Sequence, residues 1–155
     1  MSSIKWCKTQ AKGISLIEPN RNLSEEYYRN AEESMKVLRA VYPTGSLMWL
    51  ATIKYYIEYF AAYSLLMRIG IKCEIHECTI ALLNLLEEND FIAQGLTKQV
   101  EEDKELRIDN QYHLKNKPVE IDFDVMANFL LRIRERIDSL SAEEIKTIRQ
   151  KIASA

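Results

Sequence analysis

The sequence predicts an all-α fold, a mostly antiparallel up-and-down bundle of about five helices. Three observations carry this. Only four glycines and three prolines interrupt 155 residues, too few for the many turns that short strands need. Hydrophobic residues make up 47% of the chain, enough to bury the core of one domain. Apolar residues recur every three or four positions in most long segments, the period of a helix with one buried face.

The expected organisation is an N-terminal arm over 1–22, a helical body over 23–140 and a short closing helix over 141–155. The arm carries Gly13 and Pro19 and reads as extended chain or a short surface helix, anchored by Trp6, Leu16 and Ile17. The first long helix runs from about Leu23 to Val41, with Asn22 or Ser24 as its cap and Tyr27, Ala31, Met35 and Leu38 on one face. Pro43 and Gly45 end it. The second runs from about Ser46 to Ile69 and is apolar on most of its circumference. Lys54 and Glu58, four apart, mark its narrow wet side and pair there. Such a helix is central in the fold, covered by a partner chain, or both. Gly70 stops it.

The third helix spans about His76 to Glu88. The fourth starts at Phe91 or Thr97 and reaches His113, with Glu101, Glu102, Asp103 and Glu105 solvated. Pro118 fixes the loop that follows. The fifth, Phe123 to Leu140, has the regular stripe Met126, Leu130, Ile133 and Ile137. Ser141 and Glu144 form a capping box for the last helix.

Charge and cysteine content narrow the function. The formal net charge of -2 gives no strong field for nucleic acid or anionic lipid, so any RNA contact is local. The N-terminal residues read as no signal peptide, and charges interrupt every long apolar run, so the expectation is a cytoplasmic protein with no membrane span. Three cysteines, Cys7, Cys73 and Cys78, argue against a disulfide framework and read as small buried thiols, with a Cys73–Cys78 bond open but not indicated. Cys73, His76 and Cys78 match no usual zinc spacing. No Gly-rich phosphate loop, Ser/His/Asp set or carboxylate–His cluster is present, so the sequence implies neither cofactor nor metal.

Four segments carry a family resemblance. They are LSEEYYRNAEESMKVL (Leu23 to Leu38), YYIEYFAAYSLLMRIGIKCEIH (Tyr55 to His76), LRIDNQYH (Leu106 to His113) and the amphipathic helix from Phe123. In order and spacing they resemble the HEPN family (higher eukaryotes and prokaryotes nucleotide-binding), in the manner of its small prokaryotic and archaeal members. The resemblance implies a HEPN-like helical bundle, a homodimer, and a place in a nucleic-acid- or nucleotide-linked, toxin–antitoxin-like system. Active members of the family are metal-independent ribonucleases with an Arg followed, after four to six residues, by a His. Here five residues separate Arg107 from His113.

By that resemblance His113 shuttles a proton as the RNA 2′-hydroxyl attacks the adjacent phosphate, and Arg107 stabilises the developing charge. Asp109 and Asn110 take the place of the polar residue that follows the Arg in active members, where this chain has Ile108. Tyr112 stands where another branch has an Asp-Tyr pair, and His76 faces a nucleotide phosphate or lines the same cleft. The family also contains non-catalytic partners of a minimal nucleotidyltransferase, and a homodimeric scaffold is the third alternative. The residues themselves leave plainer readings open. Arg107 can ion-pair at the surface with Asp103 or Asp109. His113 can be a cation at a helix end. His76 can satisfy backbone groups at its turn or pack on Tyr63.

Overall fold

The computed structural model describes residues 2–155; Met1, the first residue of the expected arm, lies outside them. The fold is all-α. Among the described residues its seven α-helices are α1 (Ile4–Thr9), α2 (Arg21–Val41), α3 (Leu47–Ile69), α4 (His76–Glu88), α5 (Leu96–Gln111), α6 (Phe123–Ser139) and α7 (Ala142–Ser154), with two short strands, β1 (Ser15–Leu16) and β2 (Ile71–Lys72). Among the described residues no helix is long and apolar enough to cross a membrane.

The centre of the molecule is α3. Fifteen of its 23 residues are buried, because it touches α2, α4, α5, α6 and α7 on successive sides. This is the physical reason for its all-round apolar sequence. Ser46 caps its start by accepting from the Trp49 amide. Gly70 ends it at φ 90°, donating its amide to Leu66 and Met67 carbonyls. A Cβ at Gly70 would stand 2.5 Å from the Ile17 carbonyl oxygen and 2.9 Å from Pro19 N, and would also strike Arg149. That crowding comes from β1, which pairs antiparallel with β2 directly after the glycine (Leu16 opposite Ile71). Arg149 of α7 reaches the same corner and donates to the Ile17 and Gly70 carbonyls, each at 2.7 Å. Gly70→Ala combines left-handed backbone strain with this collision. We expect it to lower stability by about 2–4 kcal/mol, read as a fall in the urea midpoint; an unchanged midpoint would sink this account of the corner.

The N-terminal segment is more structured than an arm. Cys7 and Ile14 are its buried anchors, whereas Trp6 and Leu16 are exposed. Cys7 is joined to Cys78 of α4 by a disulfide spanning 71 residues of sequence (Cα–Cα 5.8 Å). The expectation of unpaired thiols therefore holds only for Cys73, which is free and buried. In the loop-closure account a bridge of this span stabilises by about 4 kcal/mol. Lys8 closes the other side by donating to the Ile152, Ala153 and Ala155 carbonyls at the end of α7.

Some caps differ from expectation. Asn20, not Asn22 or Ser24, caps α2. Ser24 is instead buried and exchanges hydrogen bonds with Ser64 on α3. The Ser141–Glu144 capping box forms as expected.

Candidate functional site

The site is built where α5 lies against α3 and the start of α4. The buried positions of α5 include Leu96, Val100, Asp103, Arg107 and Asn110, spaced as one helix face. The last three are polar. This corrects two expectations. Asp103 is not solvated but buried, and Glu58 on α3 is wholly enclosed rather than on a wet side. Lys54 pairs with Asp103 at 3.1 Å, not with Glu58.

Glu58 lies beside Asp103 and accepts from Gln99 Nε2 at 2.7 Å. Burial first, and then the neighbouring Asp103 charge, push its carboxyl well above the usual range. A raised pKa favours the protonated form of Glu58, the form that can donate to a neighbouring carboxyl. Glu58 Oε1 and Asp103 Oδ2 are both buried without a hydrogen-bond partner among the described residues.

One turn further along α5 is Arg107, which is only 9% exposed. Its guanidinium carbon lies 4.9 Å from the Tyr55 ring centre, 5.6 Å from Tyr56 and 5.8 Å from Tyr112. Among the described residues no carboxylate pairs with it. Both acids that could have held it are engaged elsewhere: Asp103 with Lys54, and Asp109 with Lys115 and Lys117. Its Nε is buried without a partner, and its one side-chain hydrogen bond is a long one to Gln111 at 3.4 Å. The surface ion pair is thus not what Arg107 makes.

The other sequence-predicted residues divide into three groups. Asp109 and Asn110 organise the loop after α5. Asn110 is buried and clamps Lys117 through both its amide and its carbonyl, at 2.7 and 2.9 Å. Asp109 takes Lys115 and Lys117, and these bonds hold its carboxyl below the usual range. Tyr112 and His113 sit at the exposed end of the helix. No hydrogen bond or ion pair joins His113 to Arg107 among the described residues. His76 does belong with Arg107. Its Nδ1 lies 2.8 Å from the Tyr55 hydroxyl, and its ring stacks on Tyr59 at 4.1 Å. Burial, reinforced by the Arg107 and Lys104 charges, pushes its pKa below the ordinary value, so the ring is neutral at pH 7.

Sequence reasoning missed Tyr55 as part of the site. The Tyr55-Tyr56 doublet is its visible trace in the sequence, but only the docking of α4 brings the Tyr55 hydroxyl to His76.

A cleft of about 690 Å³ lies beside this cluster, and Arg107, His76 and His113 do not line it. Seven carboxylates line it against three lysines, a balance that repels a polyanion. Cys78 is consumed in the disulfide and cannot serve a metal through its thiolate. No family model matches this chain, and no curated protein matches its sequence.

Proposed function

We propose that this chain is a HEPN-like helical-bundle protein of a nucleic-acid- or nucleotide-linked, toxin–antitoxin-like system, and that Arg107 binds the phosphate of its ligand. The observation that carries the reading is Arg107, a residue only 9% exposed whose Nε is buried without a partner and which pairs with no carboxylate among the described residues. A buried charge normally comes paired, because its desolvation is otherwise uncompensated. An arginine left unpaired among flat aromatic rings suits a phosphate carrying a base: the fork takes the oxygens, and Tyr56 or Tyr112 offers a stacking face.

In the catalytic version the RNA 2′-oxygen attacks the adjacent phosphorus as its proton leaves to a histidine. The P–O5′ bond breaks, and the 5′-oxygen receives a proton. Arg107 neutralises the charge on the non-bridging oxygens, and the products are a 2′,3′-cyclic phosphate and a 5′-hydroxyl. His113 is exposed and carries no bond to Arg107, so this version joins His113 of one copy to Arg107 of another in a homodimer. The same exposure, with the acid-lined cleft, favours the second reading, a non-catalytic partner of a minimal nucleotidyltransferase.

RNA incubated with the protein in EDTA separates the two. Cleavage to cyclic-phosphate ends by the wild type, abolished in His113→Ala and Arg107→Ala, is expected of the nuclease. Equal inactivity of all three folded proteins leaves the binding module, and cleavage retained by His113→Ala removes His113 from the chemistry.

A further inference from the structure

Two donors at the Arg107 site have no protein partner. One is Arg107 Nε, buried and unbonded. The other follows from the Tyr55–His76 contact. Tyr55 is wholly buried, and its hydroxyl has no acceptor other than His76 Nδ1 among the described residues. Burial also pushes the Tyr55 phenol upward, so it keeps its proton. A buried hydroxyl satisfies itself by donating where it can, which makes Nδ1 the acceptor. The histidine proton then sits on Nε2, which donates no hydrogen bond among the described residues.

Both groups rest on the same aromatic platform. The His76 ring centre is 5.7 Å from Tyr55 and 6.2 Å from Tyr56, and Arg107 approaches the same two rings. We infer that His76 is the second anion-binding residue of the site: its Nε2–H and the Arg107 guanidinium together hold one phosphate group of a nucleotide or RNA, with Tyr55 fixing the imidazole tautomer. This rests on the phosphate reading of Arg107. It adds a residue that lies outside the Arg-x5-His spacing and on a different helix.

The arrangement also sets a direction with pH. The charged neighbours of His76 are Arg107 and Lys104 on α5, and Lys104 is itself held by Glu77 of α4 at 3.6 Å. The α3 side presents Tyr55, Tyr56 and Tyr59, of which Tyr55 and Tyr59 are raised by burial. A bound phosphate offsets the Arg107 charge, so it favours protonation of His76. By linkage, His76 protonation strengthens the binding of a phosphate of fixed charge.

The test uses the wild-type chain, labelled with nitrogen-15, and inorganic phosphate against chloride at matched ionic strength. The chain has two histidines, so both ring spin systems are resolvable. Before phosphate, His76 should show a protonated Nε2 and an unprotonated, hydrogen-bonded Nδ1. Phosphate should shift His76 Nε2–H and Arg107 Nε–H along one binding curve and raise the His76 pKa. A shift at Arg107 alone overturns the role of His76 and leaves Arg107 as the phosphate residue. No shift at either overturns both. Variants supply the second arm. His76→Phe keeps the stack and removes the donor, and should weaken phosphate about tenfold, the loss of one charge-assisted hydrogen bond. His76→Gln keeps a donor near Nε2 and should stay within about threefold of wild type. Equal weakening in both variants would mean the ring acts only by packing.

Discussion

Arg107→Met should melt higher than the wild type and lose phosphate binding. Arg107 is only 9% exposed, its Nε is buried without a partner and no carboxylate pairs with it among the described residues, so the folded chain carries a desolvation cost of about a few kcal/mol. Contacts with the Tyr55, Tyr56 and Tyr112 rings return part of it, about 0.5–2 kcal/mol each. Methionine has nearly the same reach, no charge, and a soft thioether for the same rings. We expect a net stabilisation of about 1–2 kcal/mol, which for a chain of this size is roughly 2–8 °C. Phosphate should raise the melting temperature of the wild type and not that of the variant, because only a state that binds is stabilised by ligand. Stability gained where function is lost is the signature of a residue kept for a ligand. The opposite result, a variant destabilised by more than about 1 kcal/mol, would make Arg107 a structural residue clasped by tyrosines, and the phosphate reading would lose its basis.

How much of this could be read from the chain depends on where the information lies. The apolar stripe of α6 and the span of α4 are legible, because each repeats a burial pattern and ends on a recognisable stop. Helix α5 is not legible in the same way. Three of its buried face positions are Asp103, Arg107 and Asn110, so its sequence looks solvated all round. Their burial makes sense only beside Lys54, Tyr55 and Glu58 of α3, some fifty residues earlier. The strands β1 and β2 are two residues each, too short to show a period. The Cys7–Cys78 bridge joins positions that no spacing rule connects. For the site, the Arg107 spacing made that residue a candidate, but the neighbours that give it a chemical environment come from tertiary docking. Asp109 and Asn110 show the reverse: polar residues next to the candidate arginine, singled out by resemblance, whose bonds fasten the following loop.

The buried acids between α3 and α5 should dominate the stability of this seam, with a pH dependence of definite sign. Asp103→Ala removes the partner of Lys54, whose side chain is 15% exposed, and takes away the carboxyl beside Glu58. Breaking a buried pair from one side costs about 3–5 kcal/mol, readable as a fall in the denaturant midpoint. Glu58→Gln is the informative companion, since a carboxamide reproduces the protonated acid: its NH2 donates to Asp103 and its oxygen accepts from Gln99. The folded-state pKa of Glu58 is raised above 4.5, so over the range between the two values the folded chain binds more protons than the unfolded one. Stability from this group is complete below the unfolded value and is lost as pH rises through the folded one. The wild type should therefore weaken with rising pH above about 4.5, and Glu58→Gln should lack that contribution, the gap in its favour widening toward alkaline pH. Parallel stability curves for the two proteins between pH 5 and 9 would refute the shared proton. If the gap does widen, the seam that carries Arg107 is held by a proton as well as by packing, and alkaline conditions loosen the helix on which the proposed phosphate residue stands.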